Sequence, residues 1–391
     1  MHRLRFLLGL GVLALGAGCF GTASRAMSVP DRTMRNASGE VPLDTLFYIS
    51  ARARENGRDA ARLAQALEYG LVVTLRSTAA DPTEERVDFT VVDTVLLARE
   101  QFVSQLRTRV MSEPEATAFA VFYTHGYGTG LSEAWEHSTS SRTRARGTQP
   151  WIVFAWPSIG SGVAWPRDGE LLGVAYRQDS ASAVASRGAY AEALRTIHAS
   201  IGSERILAVA HSLGGQLVGE TLAGDSALRS LLTAHPLRAL AFVSPDVEAG
   251  RFGDVIVPRI ESLTHRLLLY ASSDDRVLAM SEIYNDSERA GRIADARCGP
   301  IVRDALETVD MTEGVYADSR LIHALGTRHA LRRKSAVLFD LLHVVGTQRE
   351  ATCRAVLGTG ALEPTGVWKL TPMPLPAPDA VGQCAALPPN D

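Results

Sequence analysis

The chain has 391 residues, 46% of them hydrophobic and 21% charged, a balance that excludes collagen-like, coiled-coil and mainly disordered architectures. A formal net charge of −3 provides no global basic field, and non-specific phosphate binding needs one, so nucleic acid is not an expected partner. The length accommodates one α/β unit of about 250 to 300 residues with additions at both ends.

Residues 1–18 read as a signal peptide. His2, Arg3 and Arg5 make a positive start, 6–15 an apolar run, and Gly16, Ala17 and Gly18 a small-residue exit before Cys19. The apolar run falls short of the roughly 20 residues of a spanning helix. Cys19 directly after this exit resembles the lipid-bearing cysteine of a bacterial lipoprotein, and plain signal-peptidase cleavage is the alternative. Either way the chain is expected to be exported to the bacterial cell envelope, lipid-anchored to the membrane through Cys19 or free in the periplasm. Outside the cytosol disulfides persist, so Cys298, Cys353 and Cys384 predict one bridge and one remaining thiol, with the pair undecided. No Cys/His spacing of a zinc site occurs, and no metal or cofactor is expected.

Residues 19–42, polar and small with Pro30 and Pro42, read as a flexible tether. Strand-like runs follow at 46–49, 71–75 and 87–92, an antiparallel lead-in to a sheet, with an Ala- and Arg-rich stretch at 52–67 that predicts a helix. Beyond Val95 the rhythm changes to short continuous apolar runs at 119–123, 151–156, 205–210, 237–243 and 266–271. They alternate with helical stretches, the pattern of βαβ units around a buried parallel sheet. Tyr190, Leu194, Ile197 and Ile201 recur at three and four residues and predict a crossover helix over about 180–201 with one apolar stripe on the sheet. The stretch after Thr365 is rich in proline and reads as an extended tail. The expected organisation is therefore a signal over 1–18, a tether over 19–42, an α/β domain over 43–350 and a Cys- and Pro-rich extension over 351–391.

The most informative segment is Ala210-His211-Ser212-Leu213-Gly214, a small-x-Ser-x-Gly pattern with a strand before it and helix-forming residues after it. Such a serine sits on a sharp, strained turn that presses together the residues two before and two after it, so both must be small. The turn would set the Ser212 hydroxyl at the C-terminal edge of the sheet and at a helix N-terminus, where developing negative charge is favoured. Upstream, 119–123 ends in Thr124-His125-Gly126-Tyr127-Gly128, a turn suited to supplying a backbone donor for an oxyanion. The Tyr127 and Leu213 N–H groups are the candidate oxyanion donors. His125 is expected to brace the loop rather than act as a base.

A nucleophilic serine needs a base, and the base needs an orienting acid. After the run ending at Ala271 comes Ser272-Ser273-Asp274-Asp275-Arg276, which makes Asp275 the favoured acid, with Asp246 in Ser244-Pro245-Asp246 as the rival. His323, His329 and His343 follow Asp275. His343 lies in an apolar helical stretch and reads as a core residue, while His329 is favoured over His323 as the base. The stretch 159–179 reads either as a lid over an apolar pocket or as a packed insertion. Arg142, Arg144 and Arg146 read as a solvated face rather than as contacts for an anionic substrate.

In order, Tyr123-Thr-His-Gly-Tyr127, Phe154-Ala-Trp-Pro-Ser158, Ala210-His-Ser-Leu-Gly214, Ser244-Pro-Asp-Val247 and Tyr270-Ala-Ser-Ser-Asp-Asp-Arg276 resemble a little-characterised family of bacterial α/β-hydrolase-fold proteins over about residues 45–345. The resemblance implies a mostly parallel central sheet with helices on both faces and an esterase- or lipase-like core. The expected function is a serine hydrolase with a Ser212–His329–Asp275 triad, cleaving an ester or related acyl bond of a small or lipid-like substrate. The alternative is a non-catalytic envelope scaffold that keeps the hydrolase fold.

Overall fold

The computed structural model describes residues 33–36, 39–56, 58–75, 90–159, 169–293, 299–313, 331, 335–371 and 375–387. Its layers follow from strands that are apolar on both sides. In β5 (Ala120–Thr124), Ala120 and Phe122 join one buried cluster while Val121 and Tyr123 join another. β7 (Ile206–His211) divides in the same way, Ile206, Ala208 and Ala210 against Leu207 and Val209. A strand with period 2 and no polar face must be covered on both sides.

One covering layer consists of α1 (Arg99–Met111), α4 (Arg187–Ile201), α5 (Leu213–Gly224), α6 (Ser226–Ala234) and the short α7 (Val257–Ile260). They bring Phe102, Leu106, Leu194, Leu217 and Leu228 to the first cluster. The predicted stripe Tyr190, Leu194, Ile197 and Ile201 is buried there, and Phe122 stacks on Tyr190 at 5.3 Å between ring centroids. The opposite layer contains α2 (Leu131–Arg144) and α9 (Ser335–Phe339) with its helical continuation Asp340–Val345. It contributes Ala134, Val337, Leu338 and Leu341 to the second cluster. Each fully buried Leu or Phe adds about 1.5–3 kcal/mol of apolar transfer free energy, so the two clusters supply the main driving force for the fold.

The remaining strands are β1 (Thr33–Asn36), β2 (Gly39–Glu55), β3 (Arg58–Leu75), β4 (Val91–Leu97), β6 (Trp151–Ala155), β8 (Ala239–Val243), β9 (Leu267–Ala271), β10 (Glu307–Asp310), β11 (Gly360–Leu362) and β12 (Trp368–Leu370). They order as β11-β12-β10-β9-β8-β7-β5-β6-β2-β3-β4, and β1 pairs with β2. From β2 through β12 every neighbouring pair is parallel, whereas β3 runs antiparallel to both β2 and β4. This is the mostly parallel sheet with an antiparallel N-terminal lead-in that the sequence predicts. The described part belongs to one compact unit spanning Arg32–Asp391.

Four expectations about elements are corrected. The stretch 52–67 is not a helix, because β2 and β3 continue through it as a long hairpin. Cross-strand charges hold it open, with Arg52 on Asp59 at 2.7 Å and Arg54 on Glu68 at 2.6 Å, while Leu63 and Leu67 pack against the core. Opposite-charge pairs across strands outweigh the modest helix preference of Ala and Arg. The third strand of the lead-in is β4 at Val91–Leu97 rather than 87–92, of which 87–89 lie outside the described residues. The crossover contains two helices, α3 (Gly169–Ala185) and α4, separated at Ser186. The stretch after Thr365 is not simply a tail: β12 pairs with β10 in parallel, burying Trp368 and Leu370 beside Val309.

The cysteine pair left open by the sequence is Cys353–Cys384, and Cys298 lies outside the described residues. Arg142 and Arg144 do not form a solvated face. Arg142 pairs with Asp44 on β2, and Arg144 is buried. Residues 1–18 lie outside the described residues, among which no helix is long and apolar enough to cross a membrane.

Candidate active site

β7 delivers Ser212 directly to the first turn of α5, and the backbone there is held at φ 54° and ψ −124°. A side-chain-bearing residue enters the left-handed region only where its surroundings fix it. Here the Ser212 N–H donates to Val243 O at 3.1 Å, and Ser212 O accepts from the Gly215 N–H at 2.8 Å and the Asp246 N–H at 3.0 Å. The small residues flanking the turn have their spatial reason. A Cβ on Gly214 would stand 2.4 Å from His125 O, and one on Gly126 would stand 2.8 Å from Ser212 Cβ. The turn after β5 is therefore packed directly on the turn after β7.

That packing sets Gly126, the residue before Tyr127, against Ser212, and Leu213 follows the serine directly. Leu213 is the first residue of α5, where N–H groups have no intrahelical acceptor, and its N–H has no partner among the described residues. The Tyr127 N–H is also without a partner among them. The peptide that carries it is fixed from the other side, because Gly126 O and His125 Nδ1 are 3.0 Å apart. His125 is completely buried and stacks on Trp156 at 5.2 Å, with Trp156 Nε1 donating to His125 O at 2.8 Å. Burial pushes its imidazole down to about 3, so it is neutral at physiological pH. His125 thus braces the loop.

The two candidate acids sit at the same edge of the sheet, in different surroundings. Asp275 follows β9 and is fully buried as the N-cap of α8 (Arg276–Asn285), where Oδ1 accepts from the Leu278 N–H at 3.1 Å. Asp246 follows β8, and both its oxygens are engaged. Oδ2 accepts from the Tyr176 hydroxyl at 2.9 Å, Oδ1 accepts from the Ser281 hydroxyl at 2.7 Å, and Arg289 Nε lies 3.4 Å from Oδ1. Burial and then the neighbouring carboxylate push the Tyr176 phenol up to about 12, which keeps it a donor. Asp246 therefore ties α3, α8 and the Arg289 segment to the backbone of Ser212.

The chain leaves β10 at this same edge, with the Met311 N–H donating to Ala271 O at 2.9 Å. His329 and His323 follow further on and lie outside the described residues. His343 is placed elsewhere, buried beside Phe339 with Nε2 2.6 Å from Ala145 O, as a core histidine. Among the described residues no group of three or more His, Cys, Asp or Glu side chains is arranged to hold a metal.

The stretch 159–179 is described only at Ile159 and from Gly169 onward, where Tyr176 and Asp179 on α3 are anchored by hydrogen bonds. Asp179 was not singled out by sequence reasoning. It is fully buried and accepts from the Gly128 N–H at 3.0 Å, the Ile159 N–H at 2.9 Å and the Ser158 hydroxyl. Its partners come from turns after β5 and β6, and no local pattern marks such a contact in advance.

Residues 98–327 match the family described as alpha/beta hydrolase of unknown function (DUF900). No curated protein matches the chain. Among solved structures the chain is similar to EstE1, a thermophilic carboxylesterase cloned from a metagenomic library, at 13% identity and a TM-score of 0.29, covering 58% of this chain and 81% of that one. It is also similar to a predicted CIB-like hydrolase from Thermoplasma acidophilum at 14% identity and a TM-score of 0.31, covering 77% and 98%. An arylesterase aligns at 11% identity and a TM-score of 0.29, covering 76% and 85%.

Proposed function

The chain belongs to the alpha/beta hydrolases of unknown function (DUF900), and from that premise we propose that it is an exported serine hydrolase acting on an ester or related acyl bond. The observation that carries this reading is the left-handed backbone of Ser212 at the start of α5, with the Leu213 and Tyr127 N–H groups left without partners among the described residues. Ser212 Oγ attacks the acyl carbon while its proton passes to His329, whose tautomer is fixed by Asp275. The developing oxyanion takes hydrogen bonds from Tyr127 and Leu213. The imidazolium then protonates the leaving alcohol, and water, deprotonated by the same histidine, releases the acid and restores Ser212. Asp275, fully buried just beyond the end of β9, is the orienting acid in this reading, and Asp246, bound by Tyr176, Ser281 and Arg289, is its rival.

Export rests on the signal-like first 18 residues and is supported by the Cys353–Cys384 disulfide, since such bonds persist outside the cytosol. Lipidation at Cys19 would then hold the enzyme at the membrane, and the mass of the mature N-terminus distinguishes it from plain cleavage.

A panel of acyl esters of graded chain length tests the reading. Turnover is expected to vanish in Ser212→Ala and to fall about 10⁴-fold in Asp275→Asn, with His329→Ala as damaging as loss of the serine. Folded wild-type protein that hydrolyses none of the esters would favour a scaffold that keeps the fold. Full activity in His329→Ala with loss in His323→Ala would move the base to His323.

A further inference from the structure

The Tyr127 N–H can stabilise an oxyanion only if its peptide plane is held still, since a donor that must reorient during the reaction loses most of its value. Three groups fix it, one on that peptide and two on the next, which shares the Tyr127 Cα. His125 Nδ1 holds the carbonyl of Gly126, which belongs to the same peptide, and the Thr129 hydroxyl donates to Tyr127 O at 3.3 Å. The third is Asp179. Its Oδ2 accepts from the Gly128 N–H at 3.0 Å, and Gly128 stands at φ +65°, a conformation that costs a residue without Cβ little. The same carboxylate takes the Ser158 hydroxyl, and Ser158 Oγ in turn accepts from the Thr129 N–H at 3.0 Å. Ile159 N–H completes its set of donors.

Asp179 is fully buried, and a carboxylate is kept there only where donors and charge compensate it. Beyond its three donors, the buried Arg52 guanidinium lies close enough to favour the charged form. Arg52 itself donates to Trp156 O at 3.0 Å and Ser158 O at 2.7 Å. Burial raises the Asp179 carboxyl above its ordinary value, and these hydrogen bonds and Arg52 oppose the rise. One anionic group therefore joins α3, the turn after β6 and both residues that follow Tyr127.

We propose that Asp179 is a positioning residue of the hydrolase site, fixing from α3 the turn that presents the Tyr127 N–H to the oxyanion. The proposal deepens the serine-hydrolase reading and rests on it. Asp179 touches no reacting atom; it acts through the Gly128 N–H and through Ser158.

The test uses the full-length protein, p-nitrophenyl butyrate as substrate and phenylboronic acid as a probe. The boron accepts an electron pair from Ser212 Oγ, whose proton moves to the base, and one oxygen of the tetrahedral adduct occupies the oxyanion position. Asp179→Asn is expected to lower kcat about 10- to 100-fold, to leave KM within about 2-fold, and to weaken phenylboronic acid by the same factor as kcat. Ser158→Ala, which keeps the carboxylate, is expected to lower kcat and boronic acid affinity together by a smaller factor, and it decides the matter if Asp179→Asn does not fold. Unchanged kcat and unchanged boronic acid affinity in the folded variants overturn the positioning role alone. A rise in KM with constant kcat also overturns it, because that places Asp179 in substrate binding. Wild-type protein with neither turnover nor boronic acid binding overturns the hydrolase reading and the proposal together.

Discussion

At the scale of single residues, the site depends on what surrounds Ser212 and on which titratable groups are kept out of the chemistry. His125 stands one residue before Gly126, which packs on Ser212 Cβ, and yet it is held neutral. Its folded-state value of about 3 lies well below the ordinary 6.5, so between those values the unfolded chain takes up a proton that the folded chain refuses. Stability from this group is complete above about pH 6.5 and declines as pH falls towards 3. Urea unfolding at pH 7 and pH 5 is expected to show wild type losing about 2 kcal/mol more than His125→Gln over that interval. Equal losses would mean that His125 titrates normally. Ser212, Gly214 and the His125-Gly126 turn were legible in the sequence because each is dictated by local backbone geometry. Asp179 was not, because its partners Gly128 and Ser158 stand in turns after β5 and β6 that only the sheet order brings together.

At the scale of elements, local preference and long-range pairing compete. The 52–67 stretch has the composition of a helix and forms a hairpin because Asp59, Leu63 and Glu68 find partners on and beneath the sheet. The parallel strands β5 to β9 were readable because burial on both faces leaves a continuous apolar run, whatever the neighbouring strand is. A second long-range device lies at the far edge of the sheet. Arg354, fully buried, donates through Nε and Nη2 to Asp340 at 2.8 and 2.7 Å and pairs with Glu307 on β10. The Tyr270 hydroxyl also donates to Asp340, at 2.6 Å, and Arg266 pairs with Glu307 at 2.6 Å. Removing the central cation leaves the buried Asp340 and the half-buried Glu307 carboxylates under-compensated. Arg354→Met is expected to cost about 3–5 kcal/mol in chemical denaturation, and a loss below about 1 kcal/mol would show that these charges are solvated.

At the scale of the whole molecule, the C-terminal segment is built into the sheet and locked to it. β12 extends the parallel order beyond β10, and the Cys353–Cys384 bridge closes a loop of 31 residues around that edge. Cross-linking a loop of this size is worth about 2–4 kcal/mol through restriction of the unfolded chain. The Cys353→Ser/Cys384→Ser protein is expected to unfold at correspondingly lower denaturant, and an unchanged midpoint would contradict a structural role for the bridge. The sequence carried the cysteine count but not the pairing, because pairing depends on where β11 and β12 bring the chain.

The proposed hydrolase activity requires the molecule as a whole, through β7, α5 and the turn after β5, to hold Ser212 as an activated nucleophile. Its most direct test is treatment of the intact protein with a fluorophosphonate, followed by peptide mass mapping. The account predicts a single phosphonyl adduct on Ser212, absent after prior denaturation and absent in Ser212→Ala. Folded wild-type protein that takes up no label, or that carries the label on another residue, would contradict it.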